Sequence, residues 1–179
     1  MPHDDRRTAG LHAVLAALLL GSVSTLGDFV WAAFQVRHRV AYGLAHGAVI
    51  CFCIGLVLGV RAGHPLHGAV AGPLIGVFAA GAFYALAPMM GWGAMFAAWM
   101  LFWLCFALVQ AWLAGEPRTA AVFTRGLAAA VLSGLAFYAI SGIWTHESTR
   151  NPDYLRNLLS WTFAFLPGFL ALFWPRRVS

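Results

Sequence analysis

Residues 40–60 read VAYGLAHGAVICFCIGLVLGV, with no charged side chain and a glycine or cysteine at every fourth position from Gly43. A run of this length is close to the ~20 residues that span a ~30 Å hydrocarbon core. Residues 11–34, 66–87, 91–113, 120–143 and 155–174 form five further runs of similar apolar character. Backbone inside a bilayer must satisfy its own hydrogen bonds, so each run is expected to be a helix. The expected fold is therefore all-α: a polytopic integral membrane protein, six transmembrane helices in one compact bundle covering residues 1–179.

Composition agrees with that class. Hydrophobic residues make up 61% and charged residues 9% of the chain, well away from a soluble domain. Six spans leave no length for a separate catalytic domain. The basic side chains are all arginine, and they lie singly or in pairs near helix ends rather than in one patch. That pattern speaks against nucleic acid and for anionic lipid headgroups as the partner. Cys51, Cys53 and Cys105 all fall within apolar runs, so no disulfide framework is expected.

The start of the chain, PHDDRR before an apolar run, has the flavour of a signal peptide. The run is long and lacks a small-residue cleavage pattern, so a retained first span is expected. With the N-terminus inside, Arg6, Arg7, Arg61, Arg118, Arg125, Arg176 and Arg177 lie on the cytoplasmic side. Arg37, Arg39, Arg150 and Arg156 lie on the other, and this bias places both termini in the cytoplasm. The lack of lysine and the heavy alanine and arginine usage suggest a GC-rich bacterial genome and hence the inner membrane. Trp31, Trp92 and Trp144 are expected at the outer interface, Trp112 and Trp174 at the inner one.

Gly43, Gly47, Cys51, Gly55, Gly59 and Gly63 are followed in the next run by Gly68, Gly72, Gly76 and Ala80. A spacing of four keeps small residues on one helix face, where missing side chains allow two backbones to approach closely. The second and third spans, joined by a short turn over residues 62–65, are expected to pack as a tight antiparallel pair. Pro73 and Pro167 each remove a backbone donor inside a span and should bend it. A faint internal echo, AFYAL at 82–86 and AFYAI at 136–140, is too short to establish a duplication.

Asp28 is the costliest residue, a carboxylate inside a span where insertion costs ~2.5–3.5 kcal/mol at mid-bilayer. Gly21, Ser24, Thr25, Asp28 and Gln35 share a helix face by spacing, which should look into protein or a wet cavity. His46 lies at similar depth in the second span, so a hydrogen-bonded Asp28–His46 pair is expected. Tyr84, Tyr138, Ser141, Asn157 and Ser160 fall in the same outer half and complete a candidate polar pocket. A helix-to-helix clasp, or pairing of Asp28 with Arg37 or Arg39, accounts for the same residues equally well.

Other chemistry has little support. His64, His67 and His12 lack a matched carboxylate or cysteine, so solvated interfacial histidines explain them and no metal or cofactor is expected. Neither Gly-x-Ser-x-Gly nor a glycine-rich loop followed by lysine occurs, which removes the common nucleophile and nucleotide motifs. In Asn151-Pro152-Asp153, asparagine suits a helix cap, proline the first position and aspartate the first turn.

Asn151-Pro152-Asp153-Tyr154-Leu155, followed by Ser160-Trp161, is similar to the Ser-Pro-Asp-Phe-Leu…Ser-Trp run that opens the last helix of the Insig proteins, with one extra residue here. The aromatic stretch from Phe137-Tyr138 to Trp144 is similar in kind, and the six-span plan resembles that family and its prokaryotic relatives. Animal members carry an acidic residue after the third span, where residues 85–91 here have no charge. The resemblance thus implies a cleft for a diacylglycerol- or sterol-like lipid rather than sterol-pathway regulation. Two readings follow. One is a non-enzymatic, lipid-binding sensor or partner-binding regulator, with a membrane-protein partner or a second copy as companion. The other is a small proton-linked transporter or membrane-enzyme subunit using Asp28 and His46.

Overall fold

The computed structural model describes residues 3–35, 37–117, 119–141 and 153–174, with side chains from Arg6 onward. Trp144, Asn151, Arg118, Arg150, Arg176 and Arg177 lie outside the described residues. The described chain is all helical: α1 (His3–Phe34), α2 (Arg39–Arg61), α3 (Pro65–Met90), α4 (Ala94–Leu113), α5 (Ala120–Ser141) and α6 (Tyr154–Phe173). A single 3-10 turn, Gly91–Gly93, separates α3 from α4. Five helical stretches are long and apolar enough to cross a membrane, because Pro65–Leu113 forms one continuous apolar stretch of 49 residues. Within it Gly91, at φ 55°, reverses the chain, and α3 and α4 pack on each other.

The helices form a ring in the order α1, α6, α5, α4, α3, α2, closed by a thin contact between α2 and α1. Much of what faces inward is small or aromatic, with Leu20, Ile54 and Leu58 among the buried aliphatics. Ala9, Ala13, Ala16, Ala17, Leu20 and Ser24 of α1 are buried, following helical spacing. Many large apolar side chains also point outward, as with Leu66 at 78% and Phe78 at 72% exposure. That large apolar residues occur on both faces has a cause: lipid tails solvate leucine as well as a protein interior does, so helices associate through close packing.

The α2–α3 seam shows that packing most clearly. A Cβ added at Gly55 would land on the carbonyl oxygen of Gly68, and one at Gly68 on that of Gly55. The same holds for Gly72 against the Cys51 carbonyl and Gly76 against that of Gly47. Gly59 backs onto the start of α3, with His64 O 2.8 Å from its would-be Cβ, while Gly43 makes room for the Tyr84 ring. Gly63 is outside the seam; it serves the turn, at φ 77°. Gly168, beside Pro167 in α6, lies under the fully buried Trp103 ring, and α6 continues through the proline. α3 likewise continues through Pro73 and Pro88.

The start of α6 differs in detail from the sequence expectation. Asp153 is itself the N-cap, its Oδ1 accepting from Arg156 N at 2.9 Å. Aspartate caps well because its side chain reaches the first unpaired amides, so the helix begins at Tyr154 rather than at the proline.

Candidate functional site

The end of the bundle that holds the α1–α2 and α3–α4 connections opens into a cavity of about 1560 Å³. All six helices contribute to its wall. Its floor is apolar, formed by Ile50 of α2, Ala79 of α3, Ala98, Trp99 and Phe102 of α4, and Phe165 of α6. Its middle is a polar band that includes Asp28, His46, Asn157 and Ser160. Its mouth carries Arg37, Arg39 and Arg156.

Asp28 is held by α6. Its Oδ2 accepts from Asn157 Nδ2 at 2.8 Å and from Trp161 Nε1 at 2.8 Å. Asn157 and Trp161 are four residues apart, so one helix face presents both donors to one oxygen. The Trp161 ring in turn lies against Phe137, centroids 4.7 Å apart, and stacks on Phe165 at 5.8 Å. A tryptophan suits this place, since one edge is polar and the rest is apolar. The carboxylate is thus tied to the aromatic core of α4, α5 and α6.

The expected Asp28–His46 hydrogen bond does not form. His46 reaches α1 but packs on Gly27 rather than on the carboxylate, and α6, which packs along α1, supplies the donors. His46 lies across the cavity wall on α2, stacked on Tyr42 with centroids 5.9 Å apart. Its ring fills the space where Gly27 lacks a side chain, and Tyr42 OH donates to the Gly27 carbonyl. His46 Nε2 is buried without a hydrogen-bond partner among the described residues.

Of the residues that the sequence grouped by depth, Asp28, His46, Tyr84, Ser141, Asn157 and Ser160 line the cavity. Tyr138 does not: it is buried, stacks on Phe96 at 4.8 Å, and donates to the Trp92 carbonyl. Tyr84 OH donates to Arg39 O at 2.9 Å, linking the end of α3 to the start of α2. Ser160 Oγ returns to its own helix at Arg156 O, 2.7 Å away. Arg156 Nε donates to Ile140 O at 2.8 Å, joining α6 to α5. Sequence reasoning missed Trp161 as a partner of Asp28; its signal was the four-residue step from Asn157.

Histidines also lie at the opposite end of the bundle. His12 Nδ1 is 2.9 Å from Arg61 Nη1, whose guanidinium sits 4.1 Å above the Phe173 ring. His64 and His67 meet edge to face at 5.6 Å, and His67 continues onto Trp112. Compared with protein-family models, curated proteins and solved structures, the chain matches none.

Proposed function

We propose that this protein is a non-enzymatic membrane protein that holds one lipid-like molecule in its interhelical cavity, as a sensor or as a regulator of a membrane partner. The observation that carries this reading is the cavity itself: apolar floor, polar band, charged mouth, in the order of an amphiphile from tail to headgroup. A diacylglycerol- or sterol-like body fits the apolar floor, as the resemblance to the Insig proteins implies. Asp28 and His46 offer polar contacts at the band, where His46 Nε2 has no partner among the described residues. The proton-linked alternative draws less support, because Asp28 Oδ2 is engaged by two N–H donors rather than by the imidazole.

In the same reading the chain crosses the membrane six times. α3 and α4 pack against one another, so the 49-residue stretch is best read as two crossings joined at Gly91. The arginine distribution supports a topology with both termini in the cytoplasm and the cavity mouth on the outer side of a bacterial inner membrane.

Native mass spectrometry of protein purified in mild detergent tests the proposal. A stoichiometric lipid adduct is expected, and Ile50→Phe/Ala98→Phe, which fills the apolar floor, should remove it. Bare wild-type protein, or an adduct indifferent to those two rings, would overturn the lipid reading. Loss of a pH-dependent flux in Asp28→Asn, with lipid content unchanged, would favour the transporter instead.

A further inference from the structure

We infer that the occupant of this cavity carries a phosphate, so that its ligand is a phosphate-bearing lipid rather than a neutral one; this rests on the lipid-binding reading above. The cavity is graded along its depth on three helices. On α2, Arg39 stands at the first position, His46 roughly 10 Å deeper and Ile50 roughly 6 Å beyond that, at 1.5 Å per residue. On α6, Arg156 precedes Asn157, then Trp161, then Phe165. On the α1 side, Arg37 follows the helix end, and Asp28 lies about 9 Å inside Phe34. Arginine therefore occupies the outer tier at the α1 end and at the start of α2, while on α6 Asp153 and Tyr154 precede Arg156.

Charge at the wall favours an anion. Among the described residues, three guanidiniums line the cavity against two carboxylates, Asp28 and Asp153. Each carboxylate already accepts hydrogen bonds from protein N–H groups, Asp153 from the first turn of α6 and Asp28 from Asn157 and Trp161. Arg156 is itself engaged through Nε with Ile140 O, so the anion preference falls chiefly to Arg37 and Arg39. Asp28 is also set deeper than Arg37 and Arg39, about 9 Å inside the end of α1. A planar guanidinium presents paired donors that match phosphate oxygens, and charged hydrogen bonds of this kind are about twice as strong as neutral ones. A neutral hydroxyl headgroup would accept from the arginines but bring no charge to meet theirs. A phosphate would bring that charge while its chains fill the floor.

The test compares two probes that differ only in the phosphate. Dioleoyl-phosphatidic acid and dioleoylglycerol are titrated into the full-length protein in mild detergent, and one-to-one adducts are counted by native mass spectrometry. A preference of about tenfold or more for phosphatidic acid is expected, weakening as salt rises. Arg37→Gln/Arg39→Gln, at exposed positions, should bring the two lipids within about twofold. Arg156→Lys, which keeps the charge but not the fork, should retain most of the preference. Equal binding of the two lipids, or a preference untouched by the double variant, overturns the phosphate inference and leaves the lipid cavity standing. Inorganic phosphate displacing phosphatidic acid at equal concentration would identify a free anion as the ligand and overturn it too. If neither lipid gives an adduct sensitive to Ile50→Phe/Ala98→Phe, the underlying lipid reading itself falls.

Discussion

Gly55→Ala should loosen the α2–α3 seam, and its size follows from the geometry. The new methyl falls on the Gly68 carbonyl oxygen and lies 3.0 Å from Gly72 Cα, both of them backbone atoms that cannot rotate away. Restoring ordinary contact requires the helices to separate by roughly 1 Å, which forfeits a quarter to a half of each dispersion contact. Over about thirty atom pairs at ~0.1–0.2 kcal/mol each, the loss is roughly 2 kcal/mol, within the usual range for overpacking. Replacing glycine by alanine inside a helix returns up to about 1 kcal/mol through propensity. The net cost is therefore about 1 kcal/mol. Gly81→Ala in α3 is the internal control: only Leu44 Cδ2, at 4.0 Å, approaches its would-be Cβ, so it keeps the propensity gain alone. Unfolding in mixed micelles of mild detergent and dodecyl sulfate, followed by tryptophan fluorescence, should separate the two variants by about 2 kcal/mol. Gly68→Ala meets the same seam from the other side, so adding it to Gly55→Ala should cost less than the sum of the two single changes. Equal stabilities for Gly55→Ala and Gly81→Ala would refute the argument that this seam is held by backbone proximity.

Asp28→Ala leaves Asn157 Nδ2 and Trp161 Nε1 without their acceptor, and should cost about 2–3 kcal/mol by the same unfolding assay. Asp28→Asn keeps one acceptor oxygen and should cost about half as much; equal losses would mean that the charge, not the hydrogen bonds, stabilises the α1–α6 contact. Gly168→Ala drives a methyl into the outer ring of Trp103, which is fully buried, and should destabilise by about 1–3 kcal/mol. Trp103→Phe removes those ring atoms and should rescue it, visible as a second variant more stable than the first.

Much of the architecture is readable from residues. Charges that avoid residues 40–60 and its counterparts define helices for a membrane, because no other backbone arrangement survives in hydrocarbon apart from a closed barrel. The four-residue spacing from Gly43 onward marks a close helix contact, and the structure brings α2 and α3 backbone to backbone at Gly47, Gly55, Gly68, Gly72 and Gly76. Asp153 was visible as part of a helix start, although its place as the cap itself depended on where the first turn closes. The depth of Asp28, Asn157 and Ser160 was also legible, since depth in a span is only a count of residues.

Who meets whom at that depth was not. Sequence proximity and a short connection pointed from Asp28 to His46, whereas the ring order sets α1 along α6 and gives the carboxylate to Asn157 and Trp161. Tyr138 shares the depth of the cavity residues yet faces Phe96 and the Trp92 carbonyl instead. The physical reason is the solvent. In water, an apolar stripe tells which face of a helix turns inward, but in lipid both faces are apolar, and rotation is left to small residues and a few hydrogen bonds. The sequence by itself determined that the chain forms apolar helices and which pair lies closest. Only the tertiary structure decided the ring order, the rotation of each helix and hence the cavity with arginine at its mouth, because those depend on packing between distant segments that no local pattern records.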